Sequence, residues 1–129
     1  MKILVADDSR VMRQIVIRTL RQAGFDDHEV VEAEDGRDAY DKVQSEQPDL
    51  VLSDWNMPVM DGLRFVSAVR SNPAWRSVTI MMVTSESEQT QIVKALAAGA
   101  HEYLIKPFTA DAVRDKLALL GLLPEEAVL

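Results

Sequence analysis

Five short apolar runs alternate along the chain with segments whose apolar residues recur at helical spacing. The runs are Ile3-Leu4-Val5-Ala6, Val30-Val31, Leu50-Val51-Leu52, Ile80-Met81-Met82-Val83 and Tyr103-Leu104-Ile105. Val11, Met12, Ile15, Val16, Leu20 and Ala23 stripe the first intervening segment, and Ala39, Tyr40 and Val43 the second. Leu63, Val66 and Val69 mark the third, Ile92, Val93, Leu96 and Ala100 the fourth, and Val113, Leu117 and Leu120 the last. A period near 3.6 in each predicts five helices, each with one core-facing side. Ser9 or Asp8 can cap the first helix, Gly24 can stop it, and Thr109 or Asp111 can start the fifth.

Strand and helix in strict alternation imply parallel strands, because a helical crossover returns the chain to the same end of the sheet. Runs one, three and four are nearly all apolar, as strands covered on both faces must be. Run two is short and flanked by Glu29 and Glu32, and run five contains Tyr103 beside Glu102, so both are expected at the edges. Right-handed crossovers then predict an α/β, doubly wound, five-stranded parallel sheet of order 2-1-3-4-5 with five helices. Residues 1–121 are expected to form one domain, and 122–129 a short tail that either extends the last helix or frays.

Composition narrows the chemistry. The 129 residues carry 14 Lys+Arg against 21 Asp+Glu, a net charge of -7, and no cysteine. Absence of cysteine removes disulfides, thiol nucleophiles and thiolate metal sites. The acidic balance speaks against binding nucleic acid directly. No apolar run approaches the ~18 residues of a membrane span, so a cytoplasmic protein without membrane insertion is expected. His28 and His101 read as solvated loop residues, the methionines as packing, and Trp75 as a surface aromatic.

In a doubly wound sheet the functional crevice lies at the carboxyl ends of the strands. Run one leads into Asp7-Asp8, run three into Ser53-Asp54, run four into Thr84-Ser85 and run five into Lys106-Pro107. Three carboxylates, a hydroxyl and an ammonium therefore converge on one rim. Two carboxylates ~4 Å apart repel by about 1 kcal/mol in water and about 4 kcal/mol at an effective dielectric near 20, so three call for a cation. Oxygen ligands favour Mg²⁺, with Mn²⁺ able to substitute. A hard cation beside a carboxylate nucleophile, with Thr84 and Lys106 facing it, suits phosphoryl transfer. Asp54 is the best nucleophile: it stands alone at the end of a central strand, whereas Asp7 and Asp8 form a pair suited to ligating metal. The following loop, Trp55 to Gly62, ends in an Asp-Gly turn that can leave the Asp54 carboxylate exposed.

Val5-Ala6-Asp7-Asp8-Ser9, Ser53-Asp54-Trp55-Asn56-Met57-Pro58, Met60-Asp61-Gly62, Thr84-Ser85 and Tyr103-Leu104-Ile105-Lys106-Pro107-Phe108 together resemble the receiver domain of two-component response regulators. The likeness covers about residues 2 to 120 and is nearest to the stand-alone chemotaxis type. The flavodoxin-like strand order 2-1-3-4-5 is itself a known property of that family, so its agreement with the reading above is not independent. The resemblance implies that Asp54 accepts a phosphoryl group from a sensor histidine kinase, or from a small donor such as acetyl phosphate. It implies that Asp7, Asp8, Asp54 and the Asn56 backbone carbonyl hold Mg²⁺, that Lys106 contacts the phosphate, and that the bond to Pro107 is cis. Thr84 would move toward the phosphate and Tyr103 would swing inward, altering the surface of the fourth helix, fifth strand and fifth helix. Asn56 and Glu86 match the positions where the family tunes self-dephosphorylation.

Output is then expected through a downstream protein target, such as a motor switch, unless the chain is part of something longer. A phosphorylation-dependent homodimer stays open. So does a constitutive interaction module that is never phosphorylated. A haloacid-dehalogenase-like phosphatase would want a carboxylate where Asn56 stands. A flavin carrier would want a neutral phosphate loop in place of Asp7-Asp8-Ser9-Arg10. Apart from its own phosphorylation and dephosphorylation, no turnover of an external substrate is expected.

Overall fold

A computed structural model describes residues 1–84, 89–106 and 108–122. Five strands, β1 (Lys2–Ala6), β2 (Glu29–Ala33), β3 (Leu50–Ser53), β4 (Thr79–Thr84) and β5 (Glu102–Ile105), form one parallel sheet of order β2-β1-β3-β4-β5. The connecting helices are α1 (Arg10–Leu20), α2 (Gly36–Glu46), α3 (Gly62–Arg70), α4 (Gln89–Ala98) and α5 (Ala110–Leu119). Order and strand direction match the sequence expectation.

Strand alternation divides the interior into two layers. Leu4, Ala6, Val51, Ile80 and Met82 face one side, where Ala39 and Val43 of α2, Phe65, Val66 and Val69 of α3 and Ala95 of α4 complete the core. Ile3, Val5, Leu50, Leu52, Met81 and Val83 face the other, against Val16, Ile17 and Leu20 of α1 and Val113 and Leu117 of α5.

Helix entries are set by side-chain caps. Ser9 Oγ accepts from the Met12 amide, Asp35 Oδ1 from Asp38, Asp61 Oδ1 from Arg64 and Thr109 Oγ1 from Ala112. Ser9 rather than Asp8 therefore caps α1, and Asp8 is left for the site. Asp61-Gly62, expected as a turn, is the start of α3. Beyond α1 the chain makes a wide turn over Arg21–Phe25 that ends its helical course, with Gly24 at φ 100°.

Two stripes differ from expectation. In α1, Val11 and Ile15 are exposed while Ile17 is buried. This helix starts beyond the carboxyl end of β1, so its first turn overhangs the sheet and only its later turns meet the core. In α4, Val93 and Leu96 are exposed and Ala95 is the residue that packs inward. Ala98 joins Ala95 against the core, and the helix packs mainly along α3. The Leu122 amide closes α5 by donating to the Leu117 carbonyl at 2.8 Å, and the rest of the expected tail, residues 123–129, lies outside the described residues.

Candidate phosphoryl-transfer site

The strand ends build the site. β1 stops at Ala6, and the Asp7 amide still donates to the Ala33 carbonyl of β2 at 3.1 Å, which carries Asp7 in register past the strand. β3 stops at Ser53, and the Asp54 amide donates to the Ala6 carbonyl at 2.9 Å. Carboxylate oxygens of Asp7, Asp8 and Asp54 consequently lie within 4.8 Å of one another. The first is buried, the second exposed and the third mostly covered, with 13% of its side chain accessible. Asp54 is thus more shielded than its loop position suggested.

Asp7 and Asp54 are held in place. Asp7 Oδ1 accepts from the Ser9 amide at 2.9 Å, and Asp54 Oδ1 from the Trp55 amide at 2.8 Å. Lys106, just past β5, reaches back across the rim. Its Nζ donates to Asp7 Oδ2 at 3.1 Å and sits 3.5 Å from Asp54 Oδ1. Burial pushes the Asp54 carboxyl above its ordinary value; the Lys106 ammonium opposes that, and the Asp7 charge adds to it. One ammonium does not balance three acidic groups. The cluster offers only hard oxygen donors, and oxygens on opposite sides of a Mg²⁺ ion stand about 4.2 Å apart, so the spread suits one such ion after small movements. The donor set fits Mg²⁺.

Thr84 ends β4 on the strand beside β3 and is buried, and its carbonyl accepts the Lys106 amide at 2.7 Å. Tyr103 opposes Met82 in the β4–β5 register and packs, half-buried, on the core layer that holds Met82 and Ala95. Asn56 lies exposed in the loop after Asp54. Ser85, Glu86 and Pro107 lie outside the described residues. An apolar cleft of about 370 Å³ opens beside Lys106, lined also by Met12, Ile15 and Phe108.

The family model that matches the chain is the response regulator receiver domain, over residues 3–118. The chain belongs to the response-regulator receiver family. Among curated relatives, chemotaxis protein CheY1 of Helicobacter pylori is 41% identical over 121 residues, covering 93% of this chain and 96% of that one. The solved structure of chemotaxis response regulator CheY4 of Vibrio cholerae superposes with TM-score 0.78 at 40% identity, covering 93% of this chain and 95% of that one. The receiver domain of sensor histidine kinase PA1611 of Pseudomonas aeruginosa, solved with magnesium coordinated in its active-site cleft, gives 0.77 at 28% identity, covering 88% and 91%. This receiver is CheY-like. CheY-like receivers are not classical metabolic enzymes, and membership of this family speaks against the dehalogenase-like and flavin-carrier readings. Among the described residues no helix is long and apolar enough to cross a membrane.

Several residues have structural roles that no local sequence pattern disclosed. Arg13 donates to the Asp7 carbonyl at 2.7 Å and pairs with Glu32 of β2 at 2.9 Å, bracing the loop that carries the acidic pair. Gly62 is obligatory for closeness, since a Cβ there would overlap the Asp54 carbonyl oxygen. His101 is no idle loop residue: its Nδ1 accepts from the Ile80 amide at 3.1 Å beside the Arg70 guanidinium. Trp75 packs edge-on against Tyr40, with centroids 5.2 Å apart.

Proposed function

We propose that this protein is a phosphoaccepting response regulator whose phosphorylation at Asp54 controls its binding to a downstream protein. The observation that carries the reading is the convergence of Asp7, Asp8 and Asp54 oxygens within 4.8 Å, with Lys106 Nζ bonded into the same cluster. In the transfer, an Asp54 carboxylate oxygen bonds to phosphorus as the nitrogen–phosphorus bond of a kinase phosphohistidine breaks. The electron pair returns to the imidazole, which takes up a proton. Hydrolysis later restores the carboxylate and releases inorganic phosphate.

Asp7, Asp8, Asp54 and the Asn56 backbone carbonyl would hold the Mg²⁺, with Mn²⁺ able to replace it. When bound, that cation supplies charge neutralisation for the phosphoryl oxygens and the carboxylates. Lys106 contacts the transferred phosphate, and its anchor on Asp7 keeps the ammonium aimed into the site. The bonds from the Trp55 and Ser9 amides orient Asp54 and Asp7 before the donor arrives, so little reorganisation accompanies transfer. Asn56, exposed beside the nucleophile, and Glu86 set how quickly water removes the phosphate.

An aspartyl phosphate carries more negative charge and more acceptor oxygens than the carboxylate it replaces. Thr84 donates its hydroxyl to one of those oxygens, and Tyr103 turns into the space that Thr84 leaves. The α4–β5–α5 surface is thereby remodelled, and a partner is recruited only by its preference for the remodelled state. The CheY-named relatives support a chemotaxis-type output, with a sensor histidine kinase as donor and a motor switch or similar effector as target.

Acetyl phosphate with Mg²⁺ tests the assignment. One hydroxylamine-labile phosphate per chain is expected by intact mass, none with EDTA and none in Asp54→Ala; an adduct persisting in Asp54→Ala would refute it. In a Trp75→Phe background, Trp55 fluorescence should report Mg²⁺ binding that weakens by roughly tenfold or more in Asp8→Asn.

A further inference from the structure

Tyr103 is gripped from α5. Lys116 Nζ stands 4.4 Å from the centroid of the Tyr103 ring. Glu102, the residue before the tyrosine, accepts from Lys116 Nζ at 2.9 Å through Oε1, and the same oxygen accepts from the Tyr103 amide at 3.1 Å. One carboxylate oxygen thus ties the tyrosine backbone to the ammonium that covers its ring. Both charged side chains are well shielded, 28% exposed for Lys116 and 19% for Glu102. Shielding strengthens both the ion pair and the attraction of a cation for an aromatic face.

We propose that Glu102 and Lys116 form a latch that holds Tyr103 in its phosphate-free position and so sets how readily phosphorylation remodels the α4–β5–α5 surface. The proposal rests on Tyr103 being the moving side chain of the switch. Glu102 is fixed by β5 and Lys116 by α5, so the ammonium cannot follow a swinging ring without leaving its carboxylate. The contact therefore exists in one state of the ring and is lost in the other. Such a difference biases the equilibrium, and by linkage it weakens whatever binds the other state by the same factor. Glu102 and Lys116 are positioning residues, acting on the switch and not on the phosphate.

Lys116→Met keeps the apolar stem and removes the charge. Glu102→Gln keeps an acceptor for the Tyr103 amide and loosens its hold on Lys116. Each should raise the population of the swung ring, and tighten binding of a phosphate mimic, by roughly fivefold. The chain has two tyrosines, so in a Tyr40→Phe background 3-fluorotyrosine gives one ¹⁹F resonance, that of Tyr103. Spectra are recorded with Mg²⁺ as beryllofluoride is titrated. Support is a wild-type resonance that moves on titration, with both variants displaced toward the end point beforehand, saturating at lower beryllofluoride, and Lys116→Arg restored to wild type. If the wild-type resonance moves but the variants coincide with it throughout, the latch is overturned and the switch stands. If it does not move at saturation, the switch itself fails and the latch falls with it.

Discussion

Lys106 Nζ donates to Asp7 Oδ2 at 3.1 Å, joining the last strand end of the sheet to the first across 99 residues of chain. This bond makes the metal-free site tolerable. It places a cation beside a carboxyl that is almost fully buried and beside a second one, Asp54, whose proton affinity burial has already raised.

Removing that ammonium should therefore be felt first in stability. Lys106→Met leaves Asp7 and Asp54 facing each other without compensation, and about 2 kcal/mol of folding free energy should be lost in metal-free buffer. Urea denaturation measures it. Millimolar Mg²⁺ should recover most of the loss, because a divalent ion replaces the missing charge. Phosphorylation by acetyl phosphate should nevertheless stay slower by roughly tenfold or more, since the phosphate has lost a charged partner. A variant as stable as wild type without metal would contradict the role given to this bond.

Gly62 meets the opposite constraint, one of space. As the first residue of α3 it would gain up to about 1 kcal/mol of helix propensity as alanine. A Cβ at this position, however, overlaps the Asp54 carbonyl oxygen and comes within 3.0 Å of Trp55 Cα, and both are backbone atoms of the site loop. The Met82 methyl at 2.8 Å could yield, but the backbone could not without moving the nucleophile. Gly62→Ala should lose about 1–3 kcal/mol in stability and slow phosphorylation of Asp54. Unfolding curves together with acetyl phosphate kinetics check both halves.

Val59, in the same loop, is strained in a way that substitution can relieve. Its φ is 69°, and the residue is 76% exposed, so little packing compensates a β-branched residue in the left-handed region. Asparagine adopts that conformation with far less strain. Val59→Asn should gain about 1 kcal/mol, raising the thermal midpoint by about 4 °C for a domain of this size. Mg²⁺ affinity should be unchanged, since the side chain faces solvent. Calorimetry with and without the metal tests the pair of statements.

What the sequence disclosed and what it hid divide along a physical line. Runs such as Leu50-Val51-Leu52 and Ile80-Met81-Met82-Val83 could be read because a strand covered on both faces has no polar positions. Their last residues then placed Asp7, Asp54, Thr84 and Lys106 on one rim by topology alone. Ser9 and Thr109 were legible as caps because capping is local. Ile15 against Ile17 was not, since the phase of α1 depends on how far the helix overhangs the sheet. Arg13 with Glu32, Arg70 with Gly99 and His101, and Glu102 with Lys116 are pairs whose partners are set by tertiary placement. No local pattern announces them. Val59 was hidden for another reason: nothing about a valine suggests a left-handed backbone.

The Arg70–His101 pair makes stability depend on pH near neutrality. Arg70 donates to the Gly99 carbonyl at 2.9 Å and the Val78 carbonyl at 2.6 Å, binding the approaches to β4 and β5 together. His101 completes the clamp only while its Nδ1 is unprotonated and accepts from the Ile80 amide. Burial, and next the Arg70 charge, lower its proton affinity from the ordinary value of 6.5. The unfolded chain therefore takes up a proton as pH falls through 6.5, while the folded one still refuses it. Over that window the unfolded state holds more protons, so stability must decline as pH drops, levelling off once the folded histidine also protonates. His101→Gln does not titrate. Near pH 8 it should be less stable than wild type by about 1 kcal/mol, through the poorer bond to Ile80. By pH 5 the gap should close, because only wild type bears the cost of charging His101. Urea midpoints of both proteins across that range decide it, and a constant gap would place the pH response elsewhere.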